Sequence, residues 1–133
     1  MKSVLLLNSS VRELNFINKL NIDPNQNKHY ELQVRSEYNM NFGNDNSHAI
    51  AHLKQFIEIT NNPELFSLTI TCDGIVQTDS FESEDEKKHL HVQGYYLLFP
   101  IVASLINHIF ISAGLPSLVL SPNAMDESSV TIQ

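Results

Sequence analysis

The clearest pattern in the chain is the alternation of apolar and polar residues between Tyr30 and Phe42. Apolar side chains occupy every second position of this segment, and only Ser36 interrupts them. A period of two places successive side chains on opposite faces of a sheet. The segment is therefore predicted to be a long strand with one buried face.

Two further segments show the same alternation. Ile50–Thr60 places Ala51, Leu53, Ile57 and Ile59 on one face. In the segment Phe66–Val76 alternate residues are apolar from Phe66 to Cys72, and a bend or bulge is expected at Asp73-Gly74. Val4–Leu7 and Val11–Ile17 are weaker candidates for strands. No helix of crossover length separates the strands, so we predict that the sheet is antiparallel.

The signals for helices come after the strands. Ser83 and Glu86 fit a capping box, in which each residue satisfies a free backbone N–H of the other. A first helix is therefore predicted from about Glu84 to Tyr95 or Tyr96. The expected fold class is α+β, with a four-stranded antiparallel sheet followed by two C-terminal helices.

A second helix is predicted to begin near Pro100 and to end at Gly114, because proline suits a first helical turn and glycine the position after the last. Ser104, His108 and Ser112 recur every four residues and form one narrow polar stripe. The rest of this helix is apolar. Such a helix is expected to pack on its own sheet and also on another subunit or a ligand.

The segment from Val92 to Met125 contains no Asp, Glu, Lys or Arg. Within it, the stretch from Gly94 to Leu120 is long enough to be considered as a membrane anchor. The polar stripe and the helix-stop signals at Gly114 and Pro116 fit a soluble helix better, and no membrane insertion is expected.

The composition indicates one domain, residues 1–133, with strands over about 1–78, helices over about 84–113 and an extended segment over 115–133. The chain has 133 residues, of which 42% are hydrophobic, and a formal net charge of −7.

A chain with a negative net charge is poorly suited to binding nucleic acid or anionic lipid. Cys72 is the only cysteine, which excludes an internal disulfide and fits a reducing compartment.

The sequence offers only weak candidates for a metal-binding or catalytic site. His48 with His52, and His89 with His91, could begin a metal site but lack an obvious third ligand, so structural histidines are favoured. The acidic cluster at 79–86 is interpreted as a solvated helix N-terminus, and Cys72 as a small core residue. No known catalytic motif is present, so we expect a protein that is not an enzyme and uses no cofactor.

Several segments resemble the SecB family of bacterial export chaperones. Gly94–Pro100 is similar to the helix-linker "LFP" element of that family, and Gly114–Pro122 to its "G-x-(F)P-x-L-x-L-x-P" segment. Upstream, Phe66–Val76 resembles the family's strand with a Gly-Gly-hydrophobic bend, and Arg12–Phe16 its first-strand motif. The resemblance spans most of the chain and is most specific from Gly94 to Pro122.

The resemblance implies a cytoplasmic homotetramer, a dimer of dimers, that holds unfolded or non-native polypeptides without ATP, with protein export as one role. Together with the apolar excess, it predicts a client-binding groove. The predicted groove residues are Phe81, Tyr95, Tyr96, Phe99, Phe110, Leu115 and Leu118.

The sequence departs from the family in the patch that docks the SecA motor. Glu13 keeps one acidic position, but Ile17, Thr69 and Ser67 replace residues of the family pattern, and Glu127–Gln133 lacks the usual acidic end. The sequence therefore gives no support for docking to SecA.

The alternatives to an export chaperone are a dedicated partner-binding protein, such as a chaperone serving a toxin–antitoxin system, or another interaction module on the same fold. An enzyme and a tail-anchored protein are less favoured.

Overall fold

The computed structural model describes residues 3–20 and 30–130. They contain one four-stranded sheet, formed by β1 (Leu5–Asn18), β2 (Leu32–Phe42), β3 (His48–Ile59) and β4 (Phe66–Gln77). The spatial order is β1-β4-β3-β2, and every neighbouring pair is antiparallel, as predicted. The first strand therefore crosses the sheet to pair with the last, and β1 and β2 form its two edges.

The first strand is one element, where the sequence indicated two. Its pairing with β4 shifts register between Leu6 and Asn8 and again between Val11 and Glu13. Each shift resets the alternation of inward and outward side chains. This is why the period of two breaks in the sequence although the strand continues.

The bend or bulge expected at Asp73-Gly74 is absent from β4, and that prediction was wrong. Gly74 pairs with Ala51 of β3 without a shift in register. A Cβ atom on Gly74 would lie 2.9 Å from Leu6 Cδ1 and 3.2 Å from Leu98 Cδ1. The glycine allows close packing of its neighbours.

The two predicted helices are one helix, α1 (Glu84–Ser112), which continues through Pro100. Proline removes the backbone hydrogen bond to Tyr96, but Pro100 lies on the exposed side of the helix, where water can solvate the Tyr96 carbonyl. Leu98, Phe99 and Val102 on the opposite side are buried. Their packing offsets the local cost and keeps the helix continuous.

The ends of α1 agree with the predicted signals. Ser83 accepts a hydrogen bond from the backbone N–H of Glu86, whose side chain accepts one from the Ser83 backbone, completing the capping box. Gly114 has a positive φ of 78° just after the helix. Residues 115–130 beyond the helix have no regular secondary structure except one 3-10 turn at Glu127–Ser129, and the end of the predicted extended segment, residues 131–133, lies outside the described residues.

The core lies between α1 and one face of the sheet. On β3 and β4, alternate residues face the helix and are buried, including Cys72, as predicted. Burial raises the pKa of the Cys72 thiol, which therefore stays protonated and unreactive near neutral pH.

By length and composition alone α1 could also cross a membrane, but nine of its residues are buried against the rest of the chain.

Candidate functional site

The extended C-terminal segment runs back along α1 and is fastened to it by hydrogen bonds. The backbone N–H of Leu118 donates to Asn107 Oδ1 (2.9 Å), and that of Asn123 donates to the Tyr95 hydroxyl (2.8 Å). The Asn123 side chain then donates to Ser36 Oγ on β2 (2.8 Å). These bonds hold the segment over the β2 side of the helix.

A groove of about 290 Å³ lies between this segment, α1 and β2. We call it the β2 groove. Its lining residues are Val34, Arg35, Ser36, Gln55, Tyr95, Phe99, Leu120, Ser121 and Asn123.

Gln55 is the unusual residue of the β2 groove. It is only 3% exposed and occupies an inward position of β3, between Leu53 and Ile57. Its Nε2 donates to the Arg35 carbonyl (3.1 Å), whereas its Oε1 has no hydrogen-bond partner among the described residues. The Arg35 carbonyl can only accept, so this bond sets the orientation of the amide. A buried unpaired acceptor costs about 1–3 kcal/mol.

The side chains that line the β2 groove place no net charge inside it. The guanidinium of Arg35 stacks over the Phe56 ring at 4.0 Å and lies 3.0 Å from Glu37, on the outer face of the sheet. Burial raises the pKa of Tyr95, so its hydroxyl stays neutral near physiological pH. The groove therefore suits a neutral ligand.

A second, larger cavity of about 610 Å³ lies at the start of α1. Val4 and Leu90 are among its apolar lining residues, and Asp85, Glu86 and Glu127 stand around it. His89 Nδ1 lies 2.7 Å from Glu127 Oε1, which ties the C-terminal turn to the helix.

Both edge strands expose apolar side chains on the face that carries α1. Val11 pairs with Cys72 and Leu14 with Ile70, which are core residues, so Val11 and Leu14 also face the helix side. They are nevertheless 47% and 48% exposed, like Val34 on β2 at 48%. The helix leaves these edges of the sheet uncovered.

The outer face of the sheet carries a polar network across all four strands. His52 Nδ1 lies 2.6 Å from Asp73 Oδ1, Asn41 Nδ2 lies 3.1 Å from His52 Nε2, and Arg12 lies 3.8 Å from Asp73. Glu13 is exposed on β1 and accepts a hydrogen bond from Asn15. Within residues 3–20 and 30–130, no group of three or more His, Cys, Asp or Glu side chains is arranged to hold a metal ion.

The predicted groove residues fall into two groups. Phe81 and Phe110 are core residues, packed against Phe42 and Phe66, and leave little surface for a ligand. Their contact with a client stays a prediction, since aromatic content alone does not separate core from surface.

The other predicted residues lie along the helix and the C-terminal segment. Tyr95 and Phe99 are buried but line the β2 groove, and Tyr96 is 37% exposed beside it. Leu115 and Leu118 are partly buried against the core. Contact of these residues with a client stays a prediction.

The sequence analysis missed Val34, Gln55, Leu120 and Asn123 as groove residues. A signal for Gln55 was present, since it is a polar residue at an inward position of an alternating strand, between Leu53 and Ile57. No local pattern could indicate Leu120 or Asn123, because they reach the groove through the long-range path of the C-terminal segment.

The antiparallel sheet, the long helix across one face and the returning C-terminal segment together define an α+β fold of the SecB-like chaperone type. In agreement, the structure is similar to that of a SecB-like chaperone from Mycobacterium tuberculosis, solved in complex with a ChAD peptide from the antitoxin HigA1. The TM-score is 0.70 at 13% sequence identity, over 89% of each chain. The SecB-like fold predicted from the sequence is thereby confirmed.

A structure of a protein of unknown function from Streptococcus agalactiae is also similar, with a TM-score of 0.47, 14% identity and coverage of 91% of this chain and 98% of that one. No family model and no curated protein sequence matches the chain.

Proposed function

We propose that this protein is an ATP-independent chaperone that binds non-native polypeptides and is not an enzyme. The observation that carries the proposal is the β2 groove, an uncharged groove lined by both polar and apolar residues at an open sheet edge on a SecB-like fold. The similar chaperone from Mycobacterium tuberculosis was solved with a peptide bound, which supports the same class of ligand here.

The size of the groove suits reversible binding. Each apolar client side chain that leaves water contributes about 1.5–3 kcal/mol, before the costs of ordering the bound segment. A groove of about 290 Å³ accepts only one or two such side chains. Clients are therefore expected to bind weakly per site and to be released when they fold.

Assembly would strengthen this binding. The exposed apolar residues on the helix side, Val11 and Leu14, lie on β1, whose outer edge pairs with no other strand of the described part of the chain. We infer that they are covered in a cytoplasmic homotetramer, a dimer of dimers. Several grooves on one particle would hold a long client by multivalent contact.

A dedicated partner is the second candidate. The similar chaperone is in complex with an antitoxin peptide, and the β2 groove contains one buried unpaired polar group, a feature more typical of selective than of promiscuous binding. Service to a toxin–antitoxin system and service to protein export are both compatible with the fold.

The test is suppression of aggregation of several unrelated, chemically unfolded proteins by the purified protein without ATP. A general holdase suppresses the aggregation of most of them, whereas a dedicated chaperone suppresses none. Failure to bind any non-native protein or any short peptide would overturn the proposal.

A pair of variants locates the binding surface. Val34→Asp places a charge in the wall of the β2 groove and is expected to weaken client binding about tenfold or more. Ile50→Asp is the matched control, since Ile50 is similarly exposed at 41% but lies on the outer face. Equal loss in both variants would place the binding surface elsewhere.

A further inference from the structure

Three backbone N–H groups in residues 115–126 of the C-terminal segment donate hydrogen bonds to side chains of α1. The donors are main-chain atoms, which every residue except proline carries. The acceptors are side-chain oxygens of the helix, so at these points the helix binds the segment without reading its side chains. We call the three oxygens the acceptor row. The bonds join Leu118 N to Asn107 Oδ1 (2.9 Å), Asn123 N to Tyr95 Oη (2.8 Å) and Met125 N to Tyr96 Oη (3.0 Å).

The side chains of this segment contribute little to its attachment. No residue from 115 to 126 is fully buried, and Val119 is 88% exposed. Leu115, Leu118 and Leu120 are only partly buried against the core. Segments with few buried apolar contacts and exposed hydrogen bonds open locally at low cost. Residues 115–126 can therefore leave α1 while the sheet and the helix stay folded.

Ser36 on β2 completes the attachment. It is the residue that interrupts the apolar alternation of Tyr30–Phe42. Its Oγ accepts a hydrogen bond from the Asn123 side chain at 2.8 Å, so Asn123 links α1 to β2 across the β2 groove. An incoming polypeptide cannot use the acceptor row until this link opens.

We propose that the acceptor row binds the main chain of an extended polypeptide, and that residues 115–126 occupy it in the free protein as an intramolecular competitor. Buried hydroxyl groups are nearly always hydrogen-bonded, and Tyr95 is only 1% exposed. A client N–H replaces the N–H of Asn123 when the segment leaves. Clients of unrelated sequence can bind in this way, because they share the main chain.

The competitor lowers the affinity for every client by the fraction of molecules in which the segment is closed. A tethered segment competes strongly, since its effective concentration is in the millimolar range. This inference rests on the proposed binding of polypeptides. It names the part of the polypeptide that is recognised and the element that controls access.

The first test uses a labelled peptide of residues 115–126 with blocked ends, added to the full-length wild-type protein. One version is N-methylated at the position of Asn123, which removes the N–H donated to Tyr95. The control is N-methylated at the position of Val119, whose N–H donates to no group among the described residues. Fluorescence anisotropy is expected to show about tenfold weaker binding of the first version and unchanged binding of the control.

The second test opens the segment in the full chain. Asn123→Pro removes the bonds to Tyr95 and Ser36 and leaves the acceptor row intact. It is expected to bind the unmodified peptide about tenfold more tightly than the wild type, because the loss of two hydrogen bonds raises the open fraction by about that factor. Val119→Pro is the matched control and should keep the wild-type affinity. Circular dichroism verifies that both variants fold.

The outcomes separate this inference from the proposed function. Equal binding of the three peptide versions overturns the acceptor row, and this comparison needs no variant to fold. Equal affinity of Asn123→Pro and the wild type overturns the intramolecular competition. The inference fails alone if unfolded proteins are held but the peptide binds neither protein. If neither unfolded proteins nor the peptide bind, the chaperone function fails and the inference fails with it.

Discussion

At the residue scale, small side chains determine how closely α1 approaches the sheet. Gly94 faces β2, where a Cβ atom would collide with Met40 Cε and lie 2.9 Å from the Tyr38 hydroxyl. The Tyr38 ring cannot move freely, because its hydroxyl donates to the His91 carbonyl at 2.8 Å and its ring packs against Tyr95. The glycine is thus part of the interface between helix and sheet.

Gly94→Ala is expected to lower the free energy of unfolding by about 1–3 kcal/mol, because overpacking outweighs the gain of about 1 kcal/mol in helix propensity. Urea unfolding followed by circular dichroism measures the change. Ser104→Ala, at an exposed position of the same helix, should shift stability by less than about 0.5 kcal/mol. A stabilised Gly94→Ala variant would contradict this packing.

Gln55 places an unpaired acceptor in the core at a cost in stability. Replacing it with leucine removes this acceptor but also loses the hydrogen bond to the Arg35 carbonyl, so Gln55→Leu is expected to raise the free energy of unfolding by at most about 1 kcal/mol. Denaturant unfolding at unchanged m-value is the measurement. A variant less stable than the wild type would show that the amide stabilises the core.

His91 makes stability depend on pH. Burial lowers its pKa below the ordinary value of 6.5, so the unfolded chain binds this proton more readily than the folded chain. The contribution of His91 is therefore complete above about pH 6.5 and is lost as pH falls through that value toward the lower folded pKa.

The variant His91→Phe keeps an aromatic ring against Tyr38 but cannot take up a proton. Between pH 7 and pH 5 its stability should fall less steeply than that of the wild type. Ser104→Ala, at an exposed position of the same helix, changes no titratable group and should leave the slope unchanged. Parallel pH profiles of the wild type and His91→Phe would refute the assignment.

At the element scale, the start of α1 depends on its capping box. Ser83→Ala removes the acceptor for the Glu86 N–H and is expected to cost about 1 kcal/mol of stability. Thermal or urea unfolding checks this value, with Ser104→Ala as the neutral control. Equal stability of Ser83→Ala and the wild type would mean that water replaces the cap at no cost.

The continuity of α1 through Pro100 shows the limit of local signals for helix boundaries. The preference of proline for a first turn is a local property, whereas the burial of Leu98, Phe99 and Val102 is a property of the packed sheet. Since packing of the buried face outweighs the loss of one solvent-side hydrogen bond, one helix forms in place of two.

At the scale of the whole molecule, the uncovered edge of the sheet is the surface at which we propose that subunits assemble. If Leu14 on β1 is buried between subunits, Leu14→Lys should shift the mass from about four times 15.1 kDa toward the dimer or monomer. Light scattering at several concentrations measures this. Ile50→Lys on the outer face should keep the wild-type mass, and a monomeric wild type would overturn the tetramer.

The sequence predicted much of the fold but little of the groove. Alternation identified β2, β3 and β4 and their shared apolar face, because a period of two is a local consequence of strand geometry. It divided β1 in two, since two register shifts against β4 interrupt the period. The resemblance to SecB identified the fold from segments that are far apart in the chain.

By itself, the sequence determined which segments become strands, where α1 begins and ends, and that Cys72 belongs to the core, because these depend on periodicity and on capping groups within a few residues. Tertiary structure alone decided that β1 pairs with β4, that α1 passes Pro100 and that Gln55 meets Leu120 and Asn123 at one groove. These features depend on contacts between residues distant in sequence, whose energies are absent from any local pattern.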